Sequence, residues 1–176
     1  MAKLVLMRHA KSDWGDSESP DVDRPLNARG VDAARRMGEY LREKGLLADR
    51  ILCSTARRAR QTLAGLGAGL ADCPGAQLEE ALYLASPETL LQAIGEIGTS
   101  AETLLVIAHN PGIEELAAFL AERGVVDGGA RAAMQAGFAT AALAVFELDE
   151  PDLGDLRFGG VRLVGFASPR MFDTAD

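Results

Sequence analysis

Histidine is scarce in this sequence: the chain holds two, His9 and His109. Cysteine is equally scarce. Cys53 and Cys73 show neither the spacing of a metal site nor a disulfide framework, which suits a reducing cytoplasm. Cys53 ends an apolar run and reads as a small buried hydrophobe. No stretch is long enough to span a membrane, and the apolar run after the N-terminal lysine is too short for a signal peptide. Basic residues are in deficit, 18 against 26 acidic, for a net charge of −8. That argues against nonspecific binding to nucleic acid or to anionic membrane. Linkers, repeats and low-complexity blocks are also missing. The 176 residues, 48% apolar and 25% charged, suit one globular domain over 1–176, with 168–176 expected as a loose acidic tail.

The pattern that remains is an alternation of short apolar runs and amphipathic segments. Leu4 to Met7 reads as a buried strand, followed by a polar, proline-bearing loop from Ser12 to about Pro25. Val31, Ala34, Met37 and Leu41 mark a helix capped by Asn27 and stopped near Gly45. Arg50 to Cys53 is a second strand, Thr55 to Leu70 a second helix, and Gln77 to Leu82 a short strand. Ser86-Pro87 opens a helix to about Ile97. Thr103 to Ala108 is the clearest strand, and Asn110-Pro111 is expected to cap a helix from Gly112 to about Glu122. Residues 124–137 are ambiguous. Thr140 to Leu148 and Val161 to Ala167 read as the last strands, joined by a turn-rich connection over 150–154. The order implies an α/β fold of three layers, helices covering both faces of a mostly parallel sheet.

Both histidines occupy the same topological position, just past a buried strand. The carboxyl ends of such strands are where open α/β sheets bind ligands, so the two imidazoles are expected to meet there and to handle phosphate. Two imidazoles without further ligands at characteristic spacing make a poor case for zinc, and Arg8 beside His9 would oppose a cation. Against the negative background, Arg57, Arg58 and Arg60 form a basic cluster after the second strand. A guanidinium fork there could grip phosphate oxygens, although one helix can turn only one or two of the three toward a pocket.

These residues resemble the histidine phosphatase superfamily, which includes the cofactor-dependent phosphoglycerate mutases. The matching elements are Arg8-His9 after a strand, Ser54 with Arg58-Ala59 and Thr62, and the late strand ending at His109. The runs Arg8 to Trp14, Asp23-Arg24-Pro25-Leu26 with Gly30, and Arg58 to Thr62 look most like the short bacterial branch named for phosphohistidine phosphatases. The resemblance implies a phosphoglycerate mutase-like fold, no cofactor and no metal. It implies His9 as a nucleophile that becomes phosphorylated, with Arg8, Arg58 and His109 around the phosphoryl oxygens, and Arg24 and Ser12 as further contacts. Attack needs His9 neutral, whereas His109 serves better protonated, so their pKa values are expected to lie apart. Two departures stand out: Ala10-Lys11 replaces the commoner Gly-Glu after the histidine, and the leaving-group acid is open. Glu80 has the Glu-x-x-Tyr spacing of the mutases' acid but reads equally as a solvated glutamate.

The implied activity is metal-independent hydrolysis of protein phosphohistidine, with no nucleic-acid or membrane partner. Short connections leave little chain for a lid, and an open site suits phosphate presented on a protein surface. A phosphatase of small phosphate monoesters is the alternative enzyme. A catalytically silent phosphate- or phosphoprotein-binding module is the alternative from another class.

Overall fold

The computed structural model describes residues 1–14, 18–124, 127–149, 153–156 and 160–173. Among these residues the sheet has six strands, in the order β3-β2-β4-β1-β5-β6. These are β1 (Lys3–Arg8), β2 (Arg50–Ser54), β3 (Ala76–Glu79), β4 (Thr103–Ala108), β5 (Leu143–Leu148) and β6 (Val161–Ala167). The first four are mutually parallel, and β5 alone runs against its neighbours on both sides.

Strand periodicity sorts the core into two halves. Leu4 and Leu6 of β1 and Leu104 and Val106 of β4 face one side. There they meet α3 (Pro87–Ile97), α4 (Gly112–Arg123) and α5 (Gly128–Gln135). Val5, Met7, Leu105 and Ile107 face the other side and meet α1 (Ala28–Glu43) and α2 (Arg57–Gly65). The helix stripe Ala34, Met37 and Leu41 is fully buried there, as the sequence spacing requires. Strand β4 lies between β1 and β2, yet the chain leaves β1 toward α1 on one face and leaves β4 toward α4 on the other. Two adjacent strand ends whose loops diverge create a crevice, and it opens beside His9 and His109.

Several boundaries differ from the sequence reading, each for a local reason. Asn27 does cap α1, its side chain accepting from the Gly30 amide at 2.9 Å. Ser86 likewise accepts from the Thr89 amide at the start of α3. Asn110 does not cap α4. Pro111 holds that position, and the Asn110 amide instead donates to Glu114 Oε2 at 2.7 Å and to the Phe138 carbonyl at 3.3 Å. Helix α2 stops at Gly65 because Gly67 adopts φ +82° and turns the chain. The third strand ends at Glu79, and Glu80–Leu82 winds into a 3₁₀ turn. Strand β5 starts at Leu143 rather than Thr140, because the Ala142 amide bonds back to the Ala139 carbonyl. The ambiguous 124–137 segment contains α5, with residues 125–126 outside the described set.

Of the connection expected over 150–154, residues 150–152 lie outside the described set, and Leu153–Asp155 forms a 3₁₀ turn. The tail is not loose throughout. Pro169–Phe172 forms a 3₁₀ turn, the Phe172 ring lies 5.6 Å from Tyr40, and Asp173 pairs with Arg36 at 3.1 Å. The last three residues are not described.

Helix α1 is seated directly under the loop that follows β1. The Lys11 carbonyl accepts from the Asn27 amide, and a Cβ on Gly30 would overlap that same carbonyl oxygen. Gly30→Ala must therefore push the loop away from the helix. We expect it to cost about 1–3 kcal/mol, as overpacking does, read as a lowered midpoint in urea denaturation. An unchanged midpoint would show that the loop yields without strain.

Candidate active site

The pairing of β1 with β4 places Arg8 opposite Ala108, so the next residues, His9 and His109, emerge side by side. Their ring centroids are 5.0 Å apart, and both side chains are buried, with 7% and 1% exposure. The His9 backbone is fixed between its neighbours: its amide donates to the Ala108 carbonyl and its carbonyl accepts from the Ala141 amide. The His9 Nδ1 lies 2.7 Å from the Ala10 carbonyl oxygen. A carbonyl only accepts, so Nδ1 carries the hydrogen and Nε2 keeps its lone pair. Thr62 steadies this arrangement from α2. Its hydroxyl accepts from the Ala10 amide at 2.9 Å and donates to the Arg58 carbonyl at 2.7 Å.

Among the described residues Arg58 is the most buried cation, with 2% exposure, and it faces both imidazoles. Its Nε–H donates to His9 Nε2 at 3.2 Å, and Nη2 lies 3.3 Å from His109 Nδ1. The charge is balanced by Asp21, which sequence reasoning missed. Nη1 donates to the Asp21 carbonyl at 2.7 Å and Nη2 to its carboxylate at 3.1 Å. That carboxylate also accepts from Tyr83 and from Arg24. The Tyr83 hydrogen bond, more than the guanidinium groups, holds the Asp21 carboxyl down to about 2. The Tyr83 ring stands edge-on to His109 at 5.4 Å. Arg57 and Arg60 line no part of this cleft, in keeping with the limit one helix face imposes.

His109 is held from behind by Ser54, whose Oγ lies 2.8 Å from Nε2. Arg58 can only donate, so with the guanidinium against Nδ1 the hydrogen sits on Nε2. Were Arg58 to move off Nδ1, the Ser54 hydroxyl could donate to Nε2 instead and the hydrogen would sit on Nδ1. The expected separation of the two histidine pKa values is not found. Both are depressed, His9 to about 4 and His109 to about 3, with desolvation the largest cause in each. Nearby arginines add to the shift, and for His109 so does His9. Both imidazoles are therefore neutral at pH 7, and His109 can offer a hydrogen to the cleft as a neutral tautomer.

The cleft has a volume of about 370 Å³ and is lined by residues that include Arg8, His9, Ser12, Arg24, Arg58 and His109. Six of the seven sequence-derived candidates thus converge. Arg8 is the least committed of the three arginines: Nη1 donates to the Phe138 carbonyl at 3.0 Å, while buried Nε has no partner. Arg24 is tied down at the rim by Asp21 at 2.8 Å and by the Ser12 hydroxyl at 3.0 Å. It also stacks 3.8 Å from the ring of Trp14, which is itself 77% exposed. Ser12 thus serves Arg24 directly. Glu80 is not brought in: its side chain is exposed and does not line the cleft. Among the described residues, no group of three or more His, Cys, Asp or Glu side chains converges on a point. No described helix is long and apolar enough to cross a membrane.

A parallel-centred α/β sheet with two neutral imidazoles and three guanidinium groups at its carboxyl edge defines an oxyanion site of the phosphoryl-handling type. The family model of the histidine phosphatase superfamily (branch 1) matches residues 4–82. An uncharacterized protein of Mycobacterium tuberculosis is 40% identical over 164 residues, spanning 93% of this chain and all of the relative. A structure from Nakamurella multipartitia, provisionally designated phosphohistidine phosphatase SixA, is 32% identical with a TM-score of 0.83 and covers 96% of both chains. The protein histidine phosphatase SixA complexed with tungstate shares the fold at TM-score 0.75 and 24% identity, over 97% of this chain and 99% of that one. The chain belongs to the histidine phosphatase superfamily.

The depressed histidine pKa values make stability depend on pH. Between about 6.5 and the folded-state values, the unfolded chain binds protons that the folded chain refuses. The stabilisation is complete above pH 6.5 and declines as pH falls toward 4, by up to about 1.4 kcal/mol per pH unit for each histidine. Urea midpoints measured from pH 7 to pH 4.5 should show this slope, and His109→Gln should make it shallower. A slope unchanged in that variant would show that His109 titrates normally. Removing the clamp between β1 and α2 is a second check: Thr62→Val should cost about 1–3 kcal/mol by leaving the Ala10 amide unpaired, read in the same denaturation experiment.

Proposed function

We propose that the chain is a metal-independent phosphatase that hydrolyses protein phosphohistidine through a phosphorylated His9. The observation that carries this reading is the His9 ring itself. Its hydrogen is fixed on Nδ1 by the Ala10 carbonyl, and its Nε2 lone pair lies against Arg58 with Arg8 and Arg24 nearby. A neutral nitrogen nucleophile facing fixed positive charge is what in-line attack on a phosphoryl group requires.

In the first step His9 Nε2 attacks phosphorus and the bond from phosphorus to the substrate nitrogen breaks. The substrate imidazole, already protonated on the ring nitrogen that does not carry phosphorus, leaves neutral with the bonding pair kept on the released nitrogen. Arg58 exchanges its contact with His9 Nε2 for a phosphoryl oxygen, and Arg8 supplies uncommitted donors. As Arg58 leaves Nδ1, His109 gains a hydrogen there from solvent in the cleft and gives up the one on Nε2, so that it offers Nδ1–H to the same group while Ser54 donates to Nε2. Guanidinium groups held in place before the reaction stabilise the charge spread over the equatorial oxygens. In the second step water attacks phosphorus, releasing inorganic phosphate and restoring neutral His9. The designation of the Nakamurella relative supports the choice of phosphohistidine as substrate.

Wild-type protein with EDTA should hydrolyse a phosphohistidine protein, and His9→Ala should lose all measurable turnover on it and on p-nitrophenyl phosphate. Equal activity in the variant would remove His9 as nucleophile, and loss of activity in EDTA would remove metal independence. Glu80→Gln should leave phosphohistidine hydrolysis within about two-fold, because an exposed side chain outside the cleft contributes little to the reacting atoms. A loss confined to an alkyl ester such as glycerol 2-phosphate would give Glu80 the role of acid for ester substrates.

A further inference from the structure

The cleft does not end at its own wall. Lys11 and Thr140 line both it and a second concavity of about 320 Å³, bounded by Arg29 and Arg36 of α1 and by Arg170 of the C-terminal turn. The groove holds four cationic side chains and two carboxylates. Asp32 and Asp173 both pair with Arg36, at 2.8 and 3.1 Å, and Asp32 also holds Arg35. Among the described residues Lys11, Arg29 and Arg170 make no ion pair. Three unpaired cations around one hollow stand out in a chain of net charge −8.

The walls of the hollow are fixed. The Lys11 backbone is bound to the start of α1 through the Asn27 amide, and Phe172 and Asp173 anchor the turn that carries Arg170. Oriented cations beside a reactive pocket attract anions and lower the cost of holding them.

We propose that this groove is a second anion subsite, which binds a carboxylate or phosphate carried on the substrate beyond the phosphoryl group that is cleaved. The proposal rests on the reading that the neighbouring cleft holds that phosphoryl group. It makes the enzyme selective for substrates with two anionic groups: an acidic residue close to the phosphohistidine of a protein, or a second phosphate on a small ester. Lys11 stands between the two subsites.

The test compares wild type with the double variant Arg29→Glu/Arg170→Glu. Substrates are a phosphohistidine peptide flanked by glutamates and one flanked by glutamines, hexane-1,6-diol bisphosphate and hexyl phosphate, with p-nitrophenyl phosphate as a single-charge control. Wild type should favour the doubly anionic member of at least one pair by about ten-fold in kcat/KM, a modest gain for two exposed ion pairs. The variant should abolish that preference while leaving p-nitrophenyl phosphate unchanged. Preference within the peptide pair alone identifies a protein substrate, and within the ester pair alone a small molecule; either sustains the groove. No preference in either pair, or one that survives in the variant, overturns it. A labelled hexaglutamate peptide, followed by anisotropy at low salt, decides the matter independently of turnover. It should bind wild type and not the variant, and equal or absent binding to both overturns the subsite even if hydrolysis through His9 holds. Conversely, loss of all turnover with hexaglutamate binding intact would sink the catalytic reading alone.

Discussion

A buried guanidinium is the constraint on which this site depends. Taking Arg58 out of water costs several kcal/mol unless its donors find partners, and the fold supplies an acceptor to each of its three nitrogens. One carboxylate balances the charge, and two imidazole nitrogens and a carbonyl complete the set. The arrangement constrains the partners in return. Asp21 must stay ionised, so Tyr83 and Arg24 converge on it. The histidines must stay neutral to accept, and their burial beside the cation ensures that they do.

The same arrangement reconciles stability with reactivity. Arg58 occupies the lone pair of His9 and lies against Nδ1 of His109. A phosphoryl group offers oxygens that accept more strongly than either imidazole. In the mechanism we propose, its arrival frees His9 Nε2 for attack and releases His109 Nδ1 from Arg58. Ser54 holds His109 directly, and Thr62 holds Ala10, whose carbonyl in turn holds the His9 ring, so the surrounding backbone stays tied during that exchange.

Charge is distributed unevenly for the same reason. The chain is acidic overall, which limits nonspecific attraction to other polyanions. Among the described residues, cationic side chains gather where β1 and β4 end and where α1 meets the C-terminal turn. Arg24, clamped between Asp21, Ser12 and Trp14, forms a fixed rim on the cleft.

The sequence by itself determined most of the architecture and the chemical identity of the site. The apolar runs of β1 and β4 and the spacing of Ala34, Met37 and Leu41 fix element type, because strand and helix periods are local properties. The shared position of His9 and His109 after two such strands was enough to bring them together, and the motif around Arg58 linked it to them. Asp21 and Tyr83 could not be found in this way. They lie 62 residues apart, carry no periodic signal, and meet Arg58 only because the loop after β1 folds across the strand ends. The anchored tail was equally hidden, since Phe172 and Asp173 gain their partners from a helix more than a hundred residues earlier. The histidine pKa values depended on tertiary structure most of all. Burial and proximity to shared cations set them, and neither exists until the chain has closed around Arg58.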